Sequence, residues 1–393
     1  MSVDVAALLF LLVLGSALSP LVAPRLGVPE AVLQIGYGIA IGVLGFGHTG
    51  PSEEVMHLLA ELGFILLMFG AGLEIDFDAV ERGGRAGLLN GLGVATGFFA
   101  VAGVIVWILG LPAFYVVILS ATSVGLGVAV LRETGLTGAT VGQKVLIVGS
   151  LGEFLTLIAM TVFQVASKVG LSIQLVVDLG KLAALFIAGG LFLRYLGAWT
   201  WWHPGVFARV FERHDASELG VRAALVACLG FVLLAAWLGV EAILGAFIAG
   251  AAFRAVFRDV RVLEGKMSAL SSGFFIPIFF MSVGVGFDLQ QLSLEGLLKA
   301  SILGVFLVVA RLLPSVGLVG PDCSARDALG VALLLGAPLT LLVAIAELGW
   351  QTGVLDQASE SAVVLLAILL SVILPIGFKL LHRRSDKPLP PSS

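Results

Sequence analysis

Apolar runs of about 20 residues follow one another along almost the whole chain, separated by short loops. Each run is long enough to cross a hydrocarbon core about 30 Å thick. Only helices and closed β-barrels satisfy their backbone polar groups in such a solvent. Barrel strands are short and alternate in polarity. These runs are continuous, so the chain reads as an all-α polytopic membrane protein. The charge content agrees: 12% of the 393 residues are charged, about half the share of a soluble domain. Cys228 and Cys323 have no ligand-like spacing, which argues against a disulfide framework or a zinc site.

Thirteen spans are expected, at about 4–23, 28–47, 54–75, 86–109, 112–132, 145–167, 173–197, 219–238, 240–257, 267–287, 293–317, 326–348 and 359–381. The first lacks a basic stretch before its apolar run, so it reads as a span and not a cleaved leader. The connection at 200–219 carries Trp201 and Trp202 and reads as an interfacial segment. Most of the 22 Lys and Arg residues then fall on one side, among them Arg25, Arg82, Arg132, Arg254 and Arg383. The positive-inside rule puts the N-terminus outside and the C-terminus in the cytoplasm. The expected organisation is a single membrane transport domain, 1–393, with a short cytoplasmic tail at 382–393 and no soluble regulatory domain.

The chain also repeats itself. LLMFGAGLEIDF (66–77) matches IFFMSVGVGFDL (278–289), pairing Gly72 with Gly284 and Asp76 with Asp288. ETGLTGATVGQ (133–143) matches ELGWQTGVLDQ (347–357), pairing Glu133 with Glu347 and Gln143 with Gln357. The two pairings have nearly the same offset along the chain, and it corresponds to seven spans. Seven is odd, so the halves lie in opposite orientations: repeat one at about 4–167, a linker helix at about 173–197, repeat two at about 219–381. Inverted repeats are a mark of secondary transporters. The fifth and twelfth spans are interrupted at equivalent places, SATSVGLG (120–127) and LGAPLTL (335–341), with Thr122, Ser123 and Gly125 in one and Gly336 and Pro338 in the other. Pro and clustered Gly, Ser and Thr break helical hydrogen bonding. Paired breaks of this kind point to an ion site near the midplane.

Two charges lie deep in the spans. Glu153, in VGSLGEFLTLIAM (148–160), sits near the middle of the sixth. A central acidic residue costs about 2.5–3.5 kcal/mol on insertion, and burial penalises its charged form. A carboxyl so placed can trade a proton for a cation. Arg311, in the eleventh span, cannot usefully shed its proton. It could balance a carboxylate, oppose the negative ends of broken half-helices, or snorkel to the cytoplasmic end. Glu74 is expected to cap its span or pair with Arg82 or Arg85, and Glu61 is open to either reading. No histidine accompanies an embedded serine, which argues against an intramembrane hydrolase. No phosphate-cradling Gly-rich loop is present, which argues against ATP-driven transport. Gly87-x-x-x-Gly91 and Gly93-x-x-x-Gly97 read as helix packing.

These residues resemble the second family of monovalent cation:proton antiporters, relatives of bacterial Na⁺/H⁺ exchangers and Kef-type potassium efflux systems. The likeness runs through HLLAELGFILLMFGAGLEID (57–76), LGAFIAGAAF (244–253) and FFIPIFFMSVGVGFDL (274–289). It implies thirteen helices, a core domain with two crossed broken helices, and a second domain that forms a homodimer. It implies that Glu153 stands where the family has its ion-binding aspartate, with Thr122 and Ser123 as the Thr-Ser of the first broken helix and Arg311 as the basic residue of the eleventh. The sequence departs from that pattern twice: glutamate replaces aspartate, and Gly152 replaces a polar neighbour. The expectation is electroneutral exchange of Na⁺ or K⁺ for protons in a bacterial inner membrane, with Glu153 holding the cation as metal ligand. No cofactor beyond the transported ions and no nucleic-acid partner is expected. The rival readings are a sodium-coupled organic-anion symporter, for which Gly152 would make room, and an ion-gated channel or sensor.

Overall fold

The computed structural model describes residues 3–46, 51–73, 84–169, 218–238, 242–256, 261–289 and 293–382, with isolated positions between 177 and 195. The described chain is helical: α1 (Val3–Leu26), α2 (Glu30–Val43), α3 (Pro51–Leu73), α4 (Gly84–Leu109), α5 (Phe114–Ser120), α6 (Gly125–Thr134), α7 (Thr140–Val169), α8 (Leu219–Leu238), α9 (Ala242–Val256), α10 (Arg261–Leu270), α11 (Ile276–Gly286), α12 (Leu294–Ser315), α13 (Ala325–Leu335), α14 (Leu339–Gln351) and α15 (Gln357–Leu381). Nine spans among the described residues are long and apolar enough to cross a membrane, and the bent pair α13–α14 makes a tenth. The seventh expected span, the 200–219 connection, Glu74, Asp76 and the tail beyond His382 lie wholly or largely outside the described residues.

Most boundaries follow from local chemistry. The second span is shorter than the expected 28–47: Pro29 occupies the N-cap, and Gly45, at φ +83°, turns the chain just beyond Leu44. Ser293 caps α12 by accepting from the Gly296 amide at 3.3 Å, and Asp356 caps α15 by accepting from Ser359 at 2.9 Å. Ser324 and Asp327 form a capping box on α13. The tenth span, expected as one helix, carries a π-helical turn at Ser271–Phe275 that ends two residues before Pro277. Proline removes a donor and crowds the preceding turn, and a π-turn accommodates both.

Helix packing carries the repeat in detail. α9 lies on α3, and α11 lies on α2. At each crossing two glycines let the backbones meet. A Cβ on Gly72 would overlap the carbonyl oxygen of Phe247, and one on Gly250 would overlap that of Phe69. A Cβ on Gly284 would overlap the carbonyl oxygen of Ile35, and one on Gly38 would overlap that of Met281. Gly38 and Gly250, Gly72 and Gly284, Ile35 and Phe247, and Phe69 and Met281 are all related by the same offset along the chain, that of the first repeat pairing. The same close approach is therefore built twice, with the helices exchanging roles. By contrast, a Cβ on Gly87 or Gly93 meets nothing, while Gly91 and Gly97 face Ile147 and Pro314. The packing role expected of those two Gly-x-x-x-Gly pairs thus falls on their second members.

Candidate ion-binding site at the two broken helices

Both interruptions are real breaks. α5 stops at Ser120 and α6 starts at Gly125, leaving Ala121–Val124 between them; α13 stops at Leu335 and α14 starts at Leu339. The second pair bends by 41°. Each break leaves two opposed helix ends in the protein interior. An end exposes unpaired carbonyls on its C-terminal side and unpaired amides on its N-terminal side. Buried groups of this kind need partners.

Arg311 serves the carbonyl ends. It is fully buried, at 0% exposure, so it does not snorkel. Its Nη1 donates to the Leu119 carbonyl at 2.9 Å, its Nη2 to the Ala121 carbonyl, and its Nε to the Leu335 carbonyl at 3.4 Å. Ala121 and Leu335 are equivalent positions of the two breaks, related by the offset of the second repeat pairing. One guanidinium thus closes the negative ends of both half-helices, as the dipole of each favours. Phe98 of α4 stacks beneath it, 4.7 Å from ring centre to Cζ.

Glu153 serves an amide end. It projects from α7 and is 4% exposed. Its Oε2 accepts from the Val124 amide at 3.2 Å, directly at the start of α6. Its Oε1 accepts from the Ser123 hydroxyl at 3.2 Å. The Ser123 hydroxyl stands 3.5 Å from that of Thr340, in the first turn of α14. The carboxyl is thus held by a half-helix N-terminus, and a hydroxyl chain links it to the other broken helix. The Thr122 hydroxyl donates to the Ser120 carbonyl at 3.1 Å. Its side chain fills the space that Gly152 leaves: a Cβ there would stand 3.0–3.2 Å from three Thr122 atoms. The absent side chain at Gly152 therefore admits Thr122 and makes no cavity for a larger cargo.

A cavity of about 370 Å³ reaches this group. Ser123, Gly125, Glu153 and Thr340 line one wall. The opposite wall comes from α2 (Glu30, Gln34), the C-terminal half of α3, and the π-turn with Pro277. Glu153, Ser123 and Gly125 come together there, while Gly336 and Pro338 shape the second break without lining the cavity. Sequence reasoning does not single out Thr340, Gln34 or the π-turn serines. Thr340 is within its reach, as the polar side chain close after Pro338 in LGAPLTL; the cavity wall from α2 and α10 depends on tertiary packing and leaves no local signal.

Residues 10–382 match the family described as "Sodium/hydrogen exchanger, transmembrane". YjbQ of Bacillus subtilis, assigned as a Na⁺/H⁺ antiporter, is 30% identical over 98% of this chain, which spans 64% of that protein's length. A Na⁺/H⁺ antiporter of Enterococcus hirae is 27% identical, with 95% of this chain and 96% of that one aligned. The structure of the sodium proton antiporter MjNhaP1 from Methanocaldococcus jannaschii covers 96% of this chain at a TM-score of 0.61 and 16% identity, a likeness of fold. With the family match spanning nearly the whole sequence and the antiporter fold shared, this chain belongs to the sodium/hydrogen exchanger family.

Proposed function

We propose that this chain exchanges a monovalent cation, Na⁺ or K⁺, for protons across a bacterial inner membrane, and that Glu153 binds the two in competition. The observation that carries the reading is the setting of Glu153: a buried carboxyl at a half-helix N-terminus, reached by a cavity from one end of the molecule. An ionised carboxylate there without a counter-ion is costly, so a departing cation must be replaced by a proton. The Ser123 and Thr340 hydroxyls offer neutral oxygens beside it, suited to a small cation stripped of water. Arg311 ties the carbonyl ends of the two breaks together. Gly152 is closed by Thr122, which supports a small inorganic cargo over an organic anion.

The cavity runs between two sets of helices. α6, α7 and α14 carry the Glu153 wall, and α2, α3, α10 and α11 carry the other. A second cavity, of about 350 Å³, lies at the opposite ends of α3, α11 and α14. Sliding one set along the other would close the first cavity and open a path from the second, which is alternating access. With the positive side inside, the Glu153 cavity faces the cytoplasm. As the resemblance implies, a second domain outside the broken-helix core would also hold a homodimer contact. One carboxyl holds one proton or one cation, so exchange is one for one and electroneutral.

The test uses proteoliposomes with an acid interior and an internal pH dye. Adding Na⁺ or K⁺ should release the quench in wild type, and Glu153→Gln should abolish it. Normal cation-coupled proton flux in Glu153→Gln would overturn the assignment.

A further inference from the structure

The second cavity is acidic. Glu53 and Glu61 of α3, Glu347 of α14 and Glu360 of α15 all line it, and His57 is the one basic side chain among its described lining residues. A cluster of acids at a protein surface is ordinarily solvated and needs no ligand. Glu360 is different. It is 3% exposed, it faces the cavity, and no hydrogen-bond donor among the described residues reaches its carboxyl. Its own backbone amide is used within the helix, on the Asp356 carbonyl. An acid in the first turn of a helix is favourable, but that benefit does not require burial. Glu347 stands close enough for its charge to act on Glu360, and His57 in turn acts on Glu347. Gln351 donates to Glu347 Oε1 at 2.9 Å and leaves its other oxygen for a further partner.

The repeat sharpens the contrast. Glu133, the counterpart of Glu347, binds Lys379 at 2.7 Å at the other end of the molecule. One half of the repeat thus neutralises its acid with lysine, and the other sets its acid facing a second, buried one. Two neighbouring carboxyls, one of them buried, ionise together only at a cost that a proton or a cation between them relieves. We infer that Glu347 and Glu360 form an accessory monovalent-cation site in this vestibule, with His57 at its rim. The inference rests on the cation-exchange reading for the identity of the occupant, and otherwise on the cavity alone. A cation held there waits at the end of the molecule opposite the Glu153 opening, behind the stacked rings of Phe64 and Phe279, whose centroids are 4.8 Å apart and which line the same cavity. When that partition opens, the vestibule would deliver cation to Glu153 or receive it.

Equilibrium binding of radioactive sodium and rubidium tracers to the purified full chain separates the two sites. Glu153→Gln protein should still bind tracer. Adding Glu347→Gln and Glu360→Gln should weaken that remaining binding by about tenfold, the scale of losing charge-assisted ligands. Glu133→Gln is the control and should change nothing, and elution as a single monodisperse peak checks folding. In proteoliposomes, the paired vestibule variant should raise the half-saturating cation concentration from the vestibule side more than from the other. Tracer binding without exchange would break the exchange reading and leave the vestibule site standing. Loss of all tracer binding in Glu153→Gln, or residual binding indifferent to Glu347 and Glu360, would overturn the vestibule site.

Discussion

The break at 121–124 and the break at 336–338 each end a short helix against Arg311, yet the first also starts its next helix against Glu153. By the repeat offset that relates the two breaks, the second-half counterpart of Glu153 is Ala367, buried in α15. The first-half counterpart of Arg311 is Gly97, where a Cβ would press on Pro314 at 2.8 Å. Backbone architecture is shared, and charge is divided: one repeat supplies the titratable carboxyl and the other the permanent cation. The side chains of the breaks divide likewise. Ser120, Thr122 and Ser123 surround the first, while Leu335, Ala337 and Pro338 line the second. A symmetric scaffold therefore carries an asymmetric set of charges, and the proposed exchange site lies where the symmetry fails.

The largest test of that contrast is Arg311→Ala. It strips three buried carbonyls of their donor at once, a loss of about 3–5 kcal/mol by analogy with a broken buried pair. A sharp drop in melting temperature in detergent should accompany loss of exchange, with Arg311→Lys intermediate because an ammonium cannot span both breaks. If Arg311→Ala melts like wild type, the guanidinium does not hold the breaks together.

Next in size is the hydroxyl chain between the two breaks. Ser123→Ala removes a donor to the carboxylate, worth about 1.5–3 kcal/mol for a charged acceptor. It should raise the half-saturating cation concentration about tenfold or more. Thr340→Ala, one step further from Glu153, should raise it by less. Equal effects, or a larger one at Thr340, would mean that the second break contributes as much to the site as the first.

The smallest effect should come from the far end of the first broken span. Glu133 and Lys379 form an exposed pair, so Lys379→Ala should change stability by less than about 1 kcal/mol. A large change in melting temperature would show this pair bracing α6 against α15.

Much of this is legible in the sequence because the membrane leaves few options. Continuous apolar runs force helices, and an embedded charge must have a use. Glu153 and Arg311 stand out on those grounds; both breaks, with Ser123 in the first, stand out by their clustered Gly, Ser, Thr and Pro. What stays hidden depends on three-dimensional placement. Nothing local to Arg311 says that its donors reach carbonyls of two other spans. The repeat match pairs Gly72 with Gly284, but nothing local says that these two, with Gly38 and Gly250, carry the α2–α11 and α3–α9 crossings until the backbones are seen to touch. The π-turn before Pro277 falls in SSGFFIP, where clustered Ser and Gly and a proline mark an irregularity but do not say which hydrogen-bond pattern absorbs it. Glu360 reads as a plain first-turn acid, since burial by neighbouring helices is invisible from α15 alone.

The single-carboxyl account is tested most directly by the balance point of exchange. Proteoliposomes are set with a cation gradient, and the opposing pH gradient that stops proton movement is found at several clamped voltages. The account predicts that the two gradients balance when they are equal in ratio, with no dependence on voltage. A balance point that shifts with voltage, or equilibrium at a proton ratio that is the square root of the cation ratio, would mean more than one proton per cation and would contradict it.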